Sequence, residues 1–193
     1  MGSLRLFFAA PIPDEVRSAA ARIQDELRPQ GRQVKWVEPE NVHLTLKFLG
    51  ATEAERVDAL AACARAVGGQ TAPMELVLAG LGAFPNIRRP RAVWIGLQAG
   101  QEPLAELARA LEDALAAQCG VFREERRFSG HLTIGRVKSP QPQPELAAAL
   151  AEGQDLAVGR FRLDAFGLYR SELQRAGPVH TLLHRLALGA TPH

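Results

Sequence analysis

Four residues combine side-chain types and spacing suited to moving protons around a phosphate: His43, Thr45, His131 and Thr133. The tetrapeptide His43-Leu-Thr-Leu46 recurs as His131-Leu-Thr-Ile134, 88 residues later and about half the chain away. Side chains alternate faces along a strand, so His43 and Thr45 project from one face and Leu44 and Leu46 from the other. The same alternation pairs His131 with Thr133 and sends Leu132 and Ile134 to a core. If the two copies face each other, two imidazoles and two hydroxyls meet in one cleft.

An imidazole titrates near pH 6.5, so one ring of such a pair can be neutral while the other is protonated. The neutral ring can take a proton from a nucleophile, and the protonated ring can give one to a leaving group. Each role is typically worth about 10²–10⁴-fold in rate. Threonine hydroxyls can donate to nonbridging phosphoryl oxygens, where negative charge grows in the transition state. The set suits phosphodiester cleavage and calls for no metal and no cofactor.

Competing chemistries are less well supported. A lone His-x-Thr is ordinarily a core or surface histidine, and only the duplication argues otherwise. Two histidines could ligate zinc, yet no carboxylate or thiolate is placed as a third ligand. His180 and His184 have the spacing of a helical zinc pair, but Thr181 stands where HExxH needs its glutamate. Their segment also reads as a terminal strand. Gly80-Leu-Gly82 lacks the third glycine of a dinucleotide fingerprint, no P-loop occurs, and Ser129 and Ser171 lie in no GxSxG elbow.

The elements that must position these residues alternate in type. Leu4 to Ala10 reads as a buried strand, and Val16, Ala20, Ile23 and Leu27 follow at helical spacing behind Asp14 and Glu15. Val34–Val37 and Val42–Leu49 read as strands. Thr52 with Glu55 reads as a capping box opening a helix that Gly68-Gly69 stops. Strands are expected at Met74–Phe84 and Ala92–Leu97, a helix at Pro103–Cys119, and a strand at His131–Val137. Ser139 to Pro144 reads as a rigid connector into a short Ala-rich helix, with strands near Arg160–Tyr169 and Val179–Leu188. Interleaving of this kind indicates an α/β or α+β fold.

Composition narrows the class further. At 193 residues, 47% hydrophobic and 23% charged, the chain is ordinary globular protein with room for two similar lobes. A net charge of +2 excludes coating nucleic acid by charge alone, though not a local basic cleft. Twenty of the 23 basic residues are arginines, the better bidentate phosphate donors. Cys63 and Cys119 read as free thiols on apolar helix faces. No stretch approaches the ~20 apolar residues of a membrane span, and no signal peptide is evident, so a cytoplasmic protein is expected. No protein partner is implied, and a monomer is expected.

Read with its surroundings, the repeat resembles the 2H phosphoesterase superfamily, and within it the RNA 2′,3′-cyclic phosphodiesterases, also described as 2′-5′ RNA ligases. Val37-Glu-Pro-Glu-Asn-Val-His-Leu-Thr-Leu-Lys-Phe-Leu-Gly50, Gly80-Leu-Gly-Ala-Phe-Pro85, His131-Leu-Thr-Ile-Gly-Arg136 and Leu168-Tyr-Arg-Ser-Glu-Leu173 carry the resemblance in that order. It implies one bilobal domain over residues 1–193, with two pseudo-symmetric lobes whose antiparallel sheets line a central cleft and whose helices lie outside. It implies an RNA end or cyclic nucleotide as substrate, with His43 as proton donor and His131 as proton acceptor. Thr45, Thr133 and Arg136 would hold the phosphate, and Phe48 and Tyr169 would stack on a base. Arg136, five residues from His131, would need a bulge or a strand end near Gly135 to share its face. The resemblance leaves open 2′-5′ ligation of tRNA halves as the main activity, or a binding module without turnover. Trp36 and Trp94 are expected in the core, and the Arg88/Arg89/Arg91 and Arg123/Arg126/Arg127 loop clusters either track an RNA backbone or are simply solvated. Gly130 and His180 depart from the family pattern, where proline and tyrosine are expected.

Overall fold

The computed structural model describes residues 2–139, 141–175 and 177–189; Pro140 of the expected connector lies outside them. Strand β1 (Ser3–Ala10) leads into helix α1 (Asp14–Leu27), whose Val16, Ala20, Ile23 and Leu27 are buried as their spacing requires. Then come β2 (Val34–Trp36), a 3₁₀ turn (Pro39–Asn41), β3 (Leu44–Glu53), a second 3₁₀ turn (Ala54–Arg56) and α2 (Val57–Gly69). β4 (Met74–Phe84), β5 (Ala92–Ala99), α3 (Gln101–Cys119) and β6 (His131–Val137) follow. The chain continues through α4 (Pro144–Glu152), β7 (Ala157–Leu163), β8 (Ala165–Gln174) and β9 (Gly177–Ala187). The fold is α+β, as the sequence indicates.

All strand pairs are antiparallel, in the order β7-β4-β5-β6-β3-β1-β8-β9, with β2 alongside β6. Two halves are visible in that order, and they join between β3 and β6 at one residue pair, Leu44 opposite Leu132. Those are the second residues of the two tetrapeptides, so a pseudo-two-fold relation passes through the repeat itself. Leu44, Leu46, Leu132 and Ile134 are buried on the helix side, each worth about 1.5–3 kcal/mol of apolar transfer. The helices cover this one face, with α1 against β6 and β7, and α2 against α3, β8 and β9. The opposite face lines the cleft.

Two expectations are corrected here. Thr52 does not cap a helix: β3 runs on to Glu53, and the Thr52 hydroxyl donates to the Gly50 carbonyl at 3.4 Å. The apparent single strand Arg160–Tyr169 is two strands, broken at Asp164. β7 pairs with β4 and β8 with β1, in opposite halves, so one residue carries the chain between them. The curl of the sheet allows this, and Asp164 secures the corner, its carbonyl accepting from Leu188 N–H at 2.7 Å and its carboxylate from Arg185 at 2.9 Å.

Candidate active site

Carrying the Leu44–Leu132 register one residue each way sets His43 across from Thr133, and Thr45 across from His131. All four half-buried side chains therefore share the cleft face, where their apolar neighbours cannot follow. The two imidazoles are held alike. His43 Nδ1 lies 2.7 Å from the Asn41 carbonyl and His131 Nδ1 lies 2.8 Å from the Ser129 carbonyl, each two residues upstream. A carbonyl only accepts, so Nδ1–H donates in both rings and the neutral rings keep Nε2 as acceptor. The tautomer is set by the backbone.

The supports behind those carbonyls differ. Asn41 Nδ2 donates to the Pro178 carbonyl at 2.8 Å, tying the first 3₁₀ turn to β9. Near His131, the buried Gly130 N–H donates to Gln101 Oε1 at 3.1 Å. A Cβ at Gly130 would lie 2.6 Å from Leu97 Cδ1 and 2.9 Å from Leu104 Cδ2. A proline here could not donate and would have to push the two leucine methyls aside, so Gly130 fastens the approach to His131 through α3. Gly130→Pro is expected to cost about 2–4 kcal/mol, from the lost bond and overpacking together. Thermal unfolding measures it, and an unshifted midpoint would remove Gln101 from this role.

Burial, first, and the neighbouring charges of His180, Arg136 and His131 lower the His43 pKa to about 4, against the bond it donates to the Asn41 carbonyl, which raises it. His131 is lowered as well, by burial and by Arg136, with the Ser129 bond opposing. Both rings are neutral at pH 7 in the free protein. Their aromatic surroundings explain the dryness. Phe7 lies 4.9 Å from His43, while Phe84 and Trp94 lie 4.9 and 6.4 Å from His131.

Arg136 reaches the cleft by a bulge rather than by a strand end. Ala92 and Val93 pair with Arg136 and Gly135, but Trp94 pairs with Thr133, leaving Ile134 as the extra residue. Ile134 and Gly135 are consecutively buried, and Arg136 emerges on the side of His131. A Cβ on Gly135 would lie 2.5 Å from Val34 Cγ1, so only glycine admits β2 here. The matching place in β3 bulges too: Phe8 pairs with Lys47 but Ala9 with Thr45, so Leu46 is extra. Leu46 and Lys47 are both buried, and Phe48 emerges 59% exposed at the position equivalent to Arg136. One motif thus presents an arginine and the other an aromatic ring.

Tyr169, opposite Phe7 in the β1–β8 pair, stacks on it at 5.4 Å and 17°. Burial pushes its phenol up, against the nearby Arg17. His180 stands edge-on to His43 at 5.3 Å and lies 5.0 Å from Phe7. His184 does not join it. A register shift in β8–β9 turns it toward α2, where Nε2 lies 3.5 Å from Asp58. Among the described residues no three His, Cys, Asp or Glu side chains converge on a metal-sized site.

Phe7, Asn41, Phe84, Trp94 and His180 belong to the site but were not selected as site residues from the sequence. Trp94, expected in the core, is half-buried against His131. The repeat held one usable signal, because Asn41 and Ser129 are the matching residues two before each histidine. The Arg88/Arg89/Arg91 cluster lies in the β4–β5 loop, and Arg123 of the other cluster pairs with Asp113. Cys63 and Cys119 are free thiols, and burial together with Cys119 pushes the Cys63 thiol up to about 11. No described helix is long and apolar enough to cross a membrane.

Comparison with known proteins agrees with this architecture. The RNA 2′,3′-cyclic phosphodiesterase of Methanothermobacter thermautotrophicus is 39% identical over 92% of this chain and 95% of its own. That of Aquifex aeolicus is 31% identical over 98% and 100%. The crystal structure of Escherichia coli LigT complexed with 3′-AMP has a TM-score of 0.76 at 30% identity, covering 96% and 98% of the two chains. A crystal structure from Thermus thermophilus reaches 0.81 at 31% identity, covering 97% and 99%. The family model for the 2′-5′ RNA ligase superfamily matches residues 11–175. With the paired His-x-Thr strands meeting at the centre of one curled sheet, the chain belongs to that superfamily.

Proposed function

We propose that this protein hydrolyses terminal 2′,3′-cyclic phosphates of RNA to 2′-phosphomonoesters, using His43 and His131 as acid and base. The observation that carries this reading is the matched pair of imidazoles, each with Nδ1 committed to an upstream carbonyl and Nε2 left for substrate. The names of the relatives supply the substrate class.

In the proposed step, neutral His131 takes a proton from water as its oxygen attacks phosphorus. The P–O3′ bond breaks, and protonated His43 gives its proton to O3′. One water is consumed, one P–O bond forms and one breaks. Thr45 and Thr133 donate to the nonbridging oxygens, and Arg136 offsets the charge growing there. Phe48 and Tyr169 give the strand's bases a stacking surface, worth ~1–3 kcal/mol per base. An anionic phosphate beside His43 favours its imidazolium, which offsets the burial that keeps the empty site's ring neutral. No step draws on a metal. With a 5′-hydroxyl in place of water as the nucleophile, the same residues in the same roles would join it to the cyclic end through a 2′-5′ linkage, O3′ again leaving.

The test is a short RNA ending in a 2′,3′-cyclic phosphate, incubated with excess chelator, with the product phosphate located by phosphorus NMR. A 2′-phosphate is expected. A bound but unaltered RNA would turn the reading to a binding module, and a 3′-phosphate would reverse the leaving group.

A further inference from the structure

We infer that the hollow beside His43 is a nucleobase subsite that selects bases carrying an amino group over uracil. This rests on the proposed phosphodiesterase reading for its substrate class, and on separate geometry for its selectivity. The hollow measures about 310 Å³ and lies between the 3₁₀ turn and the start of β9, with Glu38, Glu40, Asn41, Pro178, Val179 and His180 around it. By liquid volume it holds about ten waters, so one planar ring fits. It borders the phosphate centre at two points. Asn41 supplies the carbonyl that orients His43, and His180 stands edge-on to the His43 ring.

Among the polar side chains here, acceptors outnumber donors. One Nδ2 hydrogen of Asn41 goes to the Pro178 carbonyl, which leaves Oδ1 as an acceptor beside a single remaining amide donor. The Glu38 and Glu40 carboxylates accept only, and neither forms an ion pair among the described residues. His180 Nδ1 is buried with no hydrogen-bond partner among the described residues, and it can donate or accept by choice of tautomer. Such a surface repels a phosphate and a ring edge bearing carbonyls. It welcomes an edge that donates. Pro178, Val179 and the His180 ring supply apolar faces to lie against.

Cytosine and uracil are the same size and differ only along one edge, where the cytosine amino donor becomes a carbonyl acceptor and the N3 acceptor becomes an N3–H donor. His43 is proposed to face O3′ of the terminal ribose, so the terminal base enters the hollow and Phe48 and Tyr169 serve its neighbour. Stacking is tolerant of sequence, whereas an edge read by acceptors is not.

The experiment is calorimetric binding of cytidine 2′-monophosphate and uridine 2′-monophosphate to the wild-type protein, to Glu38→Ala/Glu40→Ala and to His180→Ala. Wild type is expected to bind the cytidine nucleotide about tenfold more tightly, the size of one good edge contact. The double glutamate variant should bring the ratio below about twofold, and His180→Ala should weaken both nucleotides. Equal affinities in wild type, or a preference that survives in the glutamate variant, would overturn the inference. Binding needs no turnover, so failure of the phosphodiesterase reading would show separately, as cyclic ends left unopened.

Discussion

Alanine at His43 or at His131 is expected to lower kcat/KM on a 2′,3′-cyclic end by at least about 10²-fold. Each ring is neutral in the free protein and half-buried, so neither anchors an ion pair whose loss would unfold the chain. The thermal midpoint should therefore move by only a few degrees. The double variant should fall little further than the worse single one, since acid and base act on one phosphorus and their losses do not multiply. Steady-state kinetics beside a melting curve separates the two effects. A double variant with wild-type turnover would remove the histidines from the reaction.

Lys47→Met is expected to lower stability substantially. Lys47 is 3% exposed, with its ammonium 2.5 Å from Glu112 and donating to the Phe122 carbonyl at 3.0 Å. Glu112 also accepts from the Glu124 N–H at 2.6 Å. Partial burial pushes the Glu112 carboxyl up, but the Glu124 amide and the Lys47 ammonium hold it below the usual range. Removing the ammonium strands that carboxylate and a carbonyl. A fully buried pair broken this way costs about 3–5 kcal/mol, and Glu112 is partly exposed, so about 2–4 is expected. For a chain this size that is roughly 5–15 °C in melting temperature. Lys47→Met with Glu112→Leu should recover part of the loss; a double variant as unstable as the single one would sink the account.

Lys47 also shows where sequence reading stops. Period-two alternation places Lys47 with His43 and Thr45 in the cleft, yet it is buried among the helices, because Leu46 is an extra residue in β3. The equivalent bulge in β6 was legible, since Arg136 had to reach the face of His131 and Gly135 marked the place. In β3 nothing comparable marked it. Local patterns sufficed for the four His and Thr residues, because strand alternation is a neighbour-to-neighbour property. They could not reveal His180, whose importance lies in contact with His43 across most of the chain's length. Phe7 was hidden differently: it reads as one more apolar residue in a buried strand, and only the β1–β8 and β1–β3 registers put it under Tyr169 and His43. The break at Asp164 escaped because apolar residues continue on either side of it. Topology, more than propensity, was missing from the sequence.

The pH dependence of kcat/KM, taken for wild type, His43→Ala and His131→Ala, tests the acid–base assignment most directly. It reports the free protein's ionisations. The base must be neutral, so activity falls as pH drops through the lowered His131 pKa. The acid must be protonated, so activity falls as pH rises past the His43 value of about 4. Both lie below 6.5, and wild type should give a bell with its optimum on the acid side of 6.5. His131→Ala should lose the acidic limb, and His43→Ala the alkaline one. If both limbs persist in both variants, these two histidines are not the groups that exchange the protons.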